Sequence, residues 1–229
     1  SFPVPAGPSG GPQEAILTGI KSLTQLDLKP GKTLFGDRWR VVSELGRGGF
    51  AVVVEVEDLK LERRSALKIL DPALMERGDA LERFRREMRV LSDLSHPRIV
   101  KVSHYDEKDG FAYFAMELVR GTSVQRLLAA AREKNEAVPV PLALTILVQL
   151  FEALEEVHAN DVIHRDVTPA NILLAGGEPH DLLSDPTRDP RVKLIDFGIA
   201  GGLERSELSR RVQSLGNPPY MAPELLDGH

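Results

Sequence analysis

Between positions 35 and 70 the hydrophobic residues fall into short β-branched runs rather than helical stripes. Residues 39–45, 52–56 and 65–70 read as strands, with a glycine-rich turn between the first two. The period then changes. Leu81, Phe84, Met88 and Leu91 recur at helical spacing, which predicts a helix over 79–94 that His96-Pro97 stops. Strands are predicted again at 99–104 and 111–118, then helices at 124–134 and 142–160. Two short strands, 171–175 and 192–195, flank a polar insertion at 176–191. A β-rich first part with one helix, followed by a helical part, predicts an α+β fold of two lobes with a cleft between them. Ahead of this region, residues 1–13 have the Pro/Gly composition of a flexible linker. Ile16, Ile20 and Leu23 share a face, so an amphipathic helix is predicted over 14–28, ended by Pro30-Gly31. Such a helix either caps the neighbouring domain or docks a partner.

Composition narrows the function classes. With 229 residues the chain has enough material for a sizeable core. Its formal net charge of -5 argues against a nucleic-acid binder but leaves nucleotide binding open, since that needs only a local positive site. The absence of cysteine excludes a disulfide framework and a thiolate zinc site, and fits a reducing, cytoplasmic setting. No apolar run has membrane-spanning length; the longest, 142–154, is broken by Thr145, Gln149 and Glu152. The chain starts at Ser1 without a signal-peptide pattern, and the missing initiator Met leads us to expect a piece of something longer.

Gly46, Gly48 and Ala51 have the spacing G-x-G-x-x-G/A. Glycines at a turn let backbone N–H groups approach phosphate oxygens closely. A dinucleotide site would need a helix directly after them, and a valine-rich strand follows instead. On its own the segment also fits a plain hairpin turn.

Further elements follow in a fixed order: Ala66-Leu67-Lys68, then Met116-Glu117-Leu118-Val119, then His164-Arg165-Asp166 with Asn171. Asp196-Phe197-Gly198 and Ala222-Pro223-Glu224 complete the series. Over 35–224 the chain resembles eukaryotic-like (Hanks-type) Ser/Thr protein kinases. The resemblance implies the kinase-like bilobal fold, with a β-rich N-lobe at 34–118 and a partial helical C-lobe at 119–229. It implies ATP and Mg2+ as cofactors and a protein Ser/Thr hydroxyl as acceptor. Leu45, Gly46, Gly48, Ala51 and Val53 would cover the nucleotide, while Ala66, Met116, Leu173 and backbone groups of Glu117 and Val119 would surround adenine. Lys68 would neutralise the α- and β-phosphates and be held by Glu87. Asp166 would orient the substrate hydroxyl and accept its proton, and Asn171 and Asp196 would hold magnesium. Phe197, His164, Leu91 and Val102 would stack as a hydrophobic column, and Val53, Ala66 and Leu173 as a second one. The activation loop would run over 199–221, with Ser206, Ser209 and Ser214 as autophosphorylation candidates and Glu224 paired to a later arginine.

Three departures stand against this pattern. Thr168 occupies the place of the catalytic-loop lysine and offers only a neutral hydrogen bond to the transferring phosphate. Asn217 stands where the family has threonine, and the two changes read as a pair. Only five residues follow Glu224, so helices that support the catalytic loop in the family would come from a missing segment or a partner chain. An active Ser/Thr kinase, a nucleotide-binding pseudokinase acting as a scaffold, and a small-molecule phosphotransferase all stay open, the last opposed by the Ala222-Pro223-Glu224 element.

Overall fold

The computed structural model describes residues 22–48, 51–74, 80–185, 187–197 and Tyr220. Six antiparallel strands form its larger sheet: β1 (Thr33–Leu34), β2 (Trp39–Arg47), β3 (Ala51–Asp58), β4 (Arg63–Leu70), β5 (Val102–Lys108) and β6 (Phe111–Met116). They lie in the order β1-β2-β3-β4-β6-β5. In β3 burial alternates with period two because the two faces meet different partners. Val52, Val54 and Val56 face an outer cluster with Trp39, Leu67 and Ile69. Ala51 and Val53 face the opposite side, where Ala66, Leu70, Phe114 and Met116 join the main core.

The outer face is closed by the segment that precedes the sheet. Leu23 is buried there, Leu26 and Leu28 pack against the cluster, and Phe35 stacks on Tyr113 with ring centroids 4.0 Å apart. The expected helix over 14–28 is corrected here. Ser22 is extended, and its side chain and that of Gln25 cap each other's backbone around a single 3-10 turn, Leu23–Gln25. Leu26 is extended again. A capping pair in the middle of the predicted helix breaks it, and the remainder, up to residue 21, lies outside the described residues.

The one α-helix among the described residues of this half, α1 (Ala80–Asp93), buries Met88 and Leu91. The expected strand at 99–104 starts later, at Val102. Ile99 instead forms an isolated parallel bridge to Leu194, with Val100 donating to the Leu194 carbonyl and Leu194 donating to that of Arg98. The β-branched pair Ile99-Val100 is therefore buried by a strand from the other half of the chain rather than by its sheet neighbour.

That other half holds α2 (Val124–Glu133), α3 (Val140–Ala159), α4 (Pro179–Ser184) and a small sheet in the order β7 (Gly121–Ser123), β8 (Ile172–Ala175), β9 (Arg191–Leu194). Ser123 caps α2 through the Arg126 N–H. At Gly121 a Cβ would sit 2.0 Å from the Leu174 carbonyl oxygen, so only glycine permits β7 and β8 to pair at this point. The insertion at 176–191 is not merely polar: α4 buries Leu182 and Leu183, a two-leucine signal too short to show a period. Gln149 on α3 ties the end of this insertion down, donating to the Asp189 carboxylate and the Pro190 carbonyl and accepting from the Val192 N–H. That set of bonds fixes where β9 begins, and β9 leads into the site.

Candidate active site

Register across the larger sheet brings together several of the residues expected to surround a nucleotide. Lys68 on β4 lies opposite Val53 on β3 and Phe114 on β6, and Ala66 lies opposite Met116. The glycine turn joins β2 to β3, with Gly46 opposite Val53 and the Gly48 N–H donating to the Ala51 carbonyl. A Cβ on Gly46 would meet no atom within 4 Å, so nothing in the protein itself demands glycine there. Leu45 beside it is exposed. After β6, the Glu117 N–H is committed to the Lys101 carbonyl, and Val119 packs on the main core.

Asp166 and Asp196 sit on two loops that one residue holds together. Ile195 donates its N–H to the Asn171 carbonyl and accepts at its own carbonyl from the His164 ring. His164 is 1% exposed. Its Nε2 must donate, because the Ile195 carbonyl only accepts; its Nδ1 then accepts from the Asp166 N–H at 3.3 Å. Both ring nitrogens are thereby assigned in the neutral imidazole, and a second proton would set two donors face to face. Burial pushes the His164 pKa below the usual histidine value, outweighing the Ile195 bond and the nearby charges of Asp166 and Asp196. Its ring packs on Phe197 at 4.5 Å between centroids, and both belong to the buried interior with Leu91 and Val102. Ala66 is buried too, while Val53 and Leu173 are half-buried.

The Asn171 amide nitrogen donates to the Asp166 carboxylate at 2.7 Å and to the Asp166 carbonyl at 2.9 Å. This sets the amide so that its oxygen, a hard ligand, is the end left for a cation, and it leaves Oδ1 of Asp166 to accept a further proton. Arg165 and Asp196 both adopt left-handed backbone, φ 64° and 55°. For arginine that conformation is costly, and it is held by the bonds on either side.

Lys68 makes a contact that was not among the expectations: its Nζ lies 2.7 Å from Asp196 Oδ1, across the cleft. The Glu87 side chain lies outside the described residues, as do Asn217, Ser206, Ser209, Ser214 and Glu224. Thr168 is buried, and its carbonyl accepts from the Asn171 N–H. One residue the sequence reasoning missed is Lys193 on β9, whose Nζ meets Glu117 Oε2 at 2.7 Å and so links the β6 exit to the strand before Asp196. Its signal was available: a lysine inside an apolar strand, as at Lys68.

Among the described residues no group of three or more His, Asp, Glu or Cys side chains is arranged to hold a metal ion. The donors that exist, one carboxylate and one amide oxygen, suit a magnesium that completes its shell with phosphate oxygens and water.

A family model described as protein kinase domain matches residues 39–229. The serine/threonine-protein kinase pkn2 of Myxococcus xanthus is 34% identical over 86% of this chain and 22% of that protein. The serine/threonine-protein kinase PrkC of Bacillus subtilis is 33% identical over 86% of this chain and 28% of its own length. The crystal structure of a mutant PknI kinase domain from Mycobacterium tuberculosis aligns with a TM-score of 0.62 at 32% identity, covering 89% of this chain and 69% of that one. The chain thus spans less than a third of the length of these two curated relatives.

Proposed function

Because the chain belongs to the protein kinase domain family, beside bacterial Ser/Thr kinases, we propose that it transfers the γ-phosphate of ATP to Ser and Thr hydroxyls of proteins. The observation that carries this reading is the pair of carboxylates on loops cross-tied through Ile195, one held by Asn171 and the other by Lys68. Phosphoryl transfer asks the protein mainly for positioning and charge neutralisation, and these contacts supply both.

Asp166, oriented by Asn171 and by the His164 bond to its N–H, accepts the acceptor hydroxyl's proton at Oδ1. Lys68 exchanges its Asp196 contact for α- and β-phosphate oxygens, with Glu87 on α1 as its other carboxylate. Asn171 and Asp196 would hold magnesium, which would neutralise phosphate charge when bound. Val53, Ala66, Leu173 and Met116 would surround adenine, with the Glu117 carbonyl and the Val119 backbone as its polar partners. The open space at Gly46 and Gly48 leaves room for phosphate near the backbone. Thr168 gives a neutral hydrogen bond where the family pattern has a cation, so a modest rate is expected.

The same reading gives the exposed apolar stripe of α3 an owner. Val140, Leu144, Leu147, Val148 and Phe151 are all exposed on that helix. Further C-lobe helices, from the remainder of the protein or a partner chain, would cover it, in a cytoplasmic protein.

Radiolabelled ATP, offered to the full-length protein, to this chain and to an Asp166→Ala control, tests the proposal. Label on Ser or Thr of the first and none on the control is the expected result. Full-length protein that binds Mg-ATP yet takes no label would leave a pseudokinase scaffold in its place.

A further inference from the structure

Away from the cleft, an open groove of about 850 Å³ lies between α1 and β5, the edge strand of the larger sheet. Four cations line it, Arg63, Arg85, Arg89 and Lys101, together with the buried Met88 and Val102. None of its lining residues is acidic. Arg85 is matched by a two-pronged pair with Glu107, both contacts at 2.7 Å, and that pairing holds the Glu107 carboxyl below its ordinary pKa. Arg63, Arg89 and Lys101 form no side-chain ion pair or hydrogen bond with any described residue.

Three unmatched cations converging on one groove are unusual for a chain whose net charge is -5. Their mutual repulsion costs stability, and no carboxylate among the described residues pairs with them. The groove's hydroxyls are already committed as donors: Ser92 to the Arg89 carbonyl, Ser103 to that of Ala115 and Tyr105 to the Glu107 carboxylate. Recognition of a ligand there falls to the cations. Guanidinium groups present a planar fork that matches phosphoryl oxygens, and a dianion satisfies more than one of them at once.

We propose that this groove docks a phosphoryl dianion carried on a peptide. A phosphoserine or phosphothreonine side chain sits among Arg63, Arg89 and Lys101, and the extended backbone runs beside the sheet edge at β5. The site lets the chain recognise proteins that are already phosphorylated, and it does not depend on catalysis.

Fluorescence anisotropy tests this with a labelled phosphoserine peptide, its unphosphorylated twin and inorganic phosphate as competitor. Nucleotide-free full-length protein and low ionic strength are used, because exposed charges are screened by salt. The phosphopeptide is expected to bind at least about tenfold more tightly than its twin. The double variant Arg89→Gln/Lys101→Gln loses about that factor, and Arg63→Gln loses part of it, with melting temperatures unchanged. Asp166→Ala binds like the unmodified protein, which separates this site from the catalytic cleft. Equal affinity for the two peptides, or undiminished binding in the double variant, overturns the proposal. Displacement by inorganic phosphate at the peptide's own concentration overturns it as well, and reduces the groove to a binder of an adventitious ion only.

Discussion

The outer face of the larger sheet and the outer face of α3 are both apolar, yet they end differently. On the sheet, Trp39 is 1% exposed, because the turn at Leu23 and the residues up to Phe35 lie across it. On α3, Phe151 is 62% exposed, and Val140, Leu144, Leu147 and Val148 share its surroundings in solvent. The inner face of the same helix buries Leu142, Ile146, Leu150, Ala153 and Val157. A helix apolar on both sides belongs in an interior, whereas a sheet face needs only one covering segment. The difference teaches that the leading segment is integral to the sheet's packing, and that α3 is built for a neighbour on its second side. Three measurements bear on this contrast.

The largest effect is expected where the covering is complete. Trp39→Ala removes the biggest fully buried side chain of the outer cluster and should cost about 3–5 kcal/mol of unfolding free energy in urea titrations. Leu23→Ala, which touches only the covering turn, should cost about 2–3 kcal/mol. A Leu23→Ala cost near zero would mean that the sheet holds its outer face without the leading segment.

How far these faces were legible in the sequence depends on whether their signals were local. His164-Arg165-Asp166 with Asn171, and Asp196-Phe197, could be read directly, because each set lies on one short loop. The strand and helix types were also legible, since β-branched runs and helical stripes alternate cleanly along the chain. What could not be read was which distant element each residue meets. Ile99 reads as part of a strand, yet it makes only an isolated bridge, to Leu194 from the other half of the chain. Lys68 reads as a cation needing a carboxylate; geometry, not spacing, gives it Asp196. The predicted helix over 14–28 fails in its described part, from Ser22 on, because Ser22 and Gln25 cap each other, a local signal that the apolar stripe of Ile16, Ile20 and Leu23 outweighed.

Acid should attack both buried regions at once. His104 lies against Trp39 and Tyr113 of the outer cluster, and His164 lies in the main core against Phe197. Burial lowers the pKa of each, helped at His104 by the Arg38 charge. A histidine with a folded pKa below its unfolded one binds more protons when unfolded, so stability falls as pH drops below about 6.5, the unfolded value. Urea titrations between neutral and mildly acidic pH should show this decline. His164→Gln keeps a donor for Ile195 and an acceptor for Asp166, and should flatten the slope by the share of one titrating proton. An unchanged slope in that variant would mean His164 is not held neutral.

The smallest effect is expected on α3, and it is the sharpest test of the contrast. Phe151→Ser replaces a large apolar side chain, as Trp39→Ala does, but one that already faces water. Loss of transfer free energy scales with area removed from water on folding, and at 62% exposure little of that area is removed. The isolated chain should therefore lose no more than about 0.5 kcal/mol. Its tendency to self-associate, measured by light scattering, should fall, because the variant interrupts an exposed apolar stripe between Leu147 and the α3 C-terminus. The full-length protein should behave in the opposite way. If other helices cover α3 there, the same substitution buries a hydroxyl in place of a ring and costs several times more. Equal costs in the two settings would mean that α3 keeps its apolar face in water even in the complete molecule.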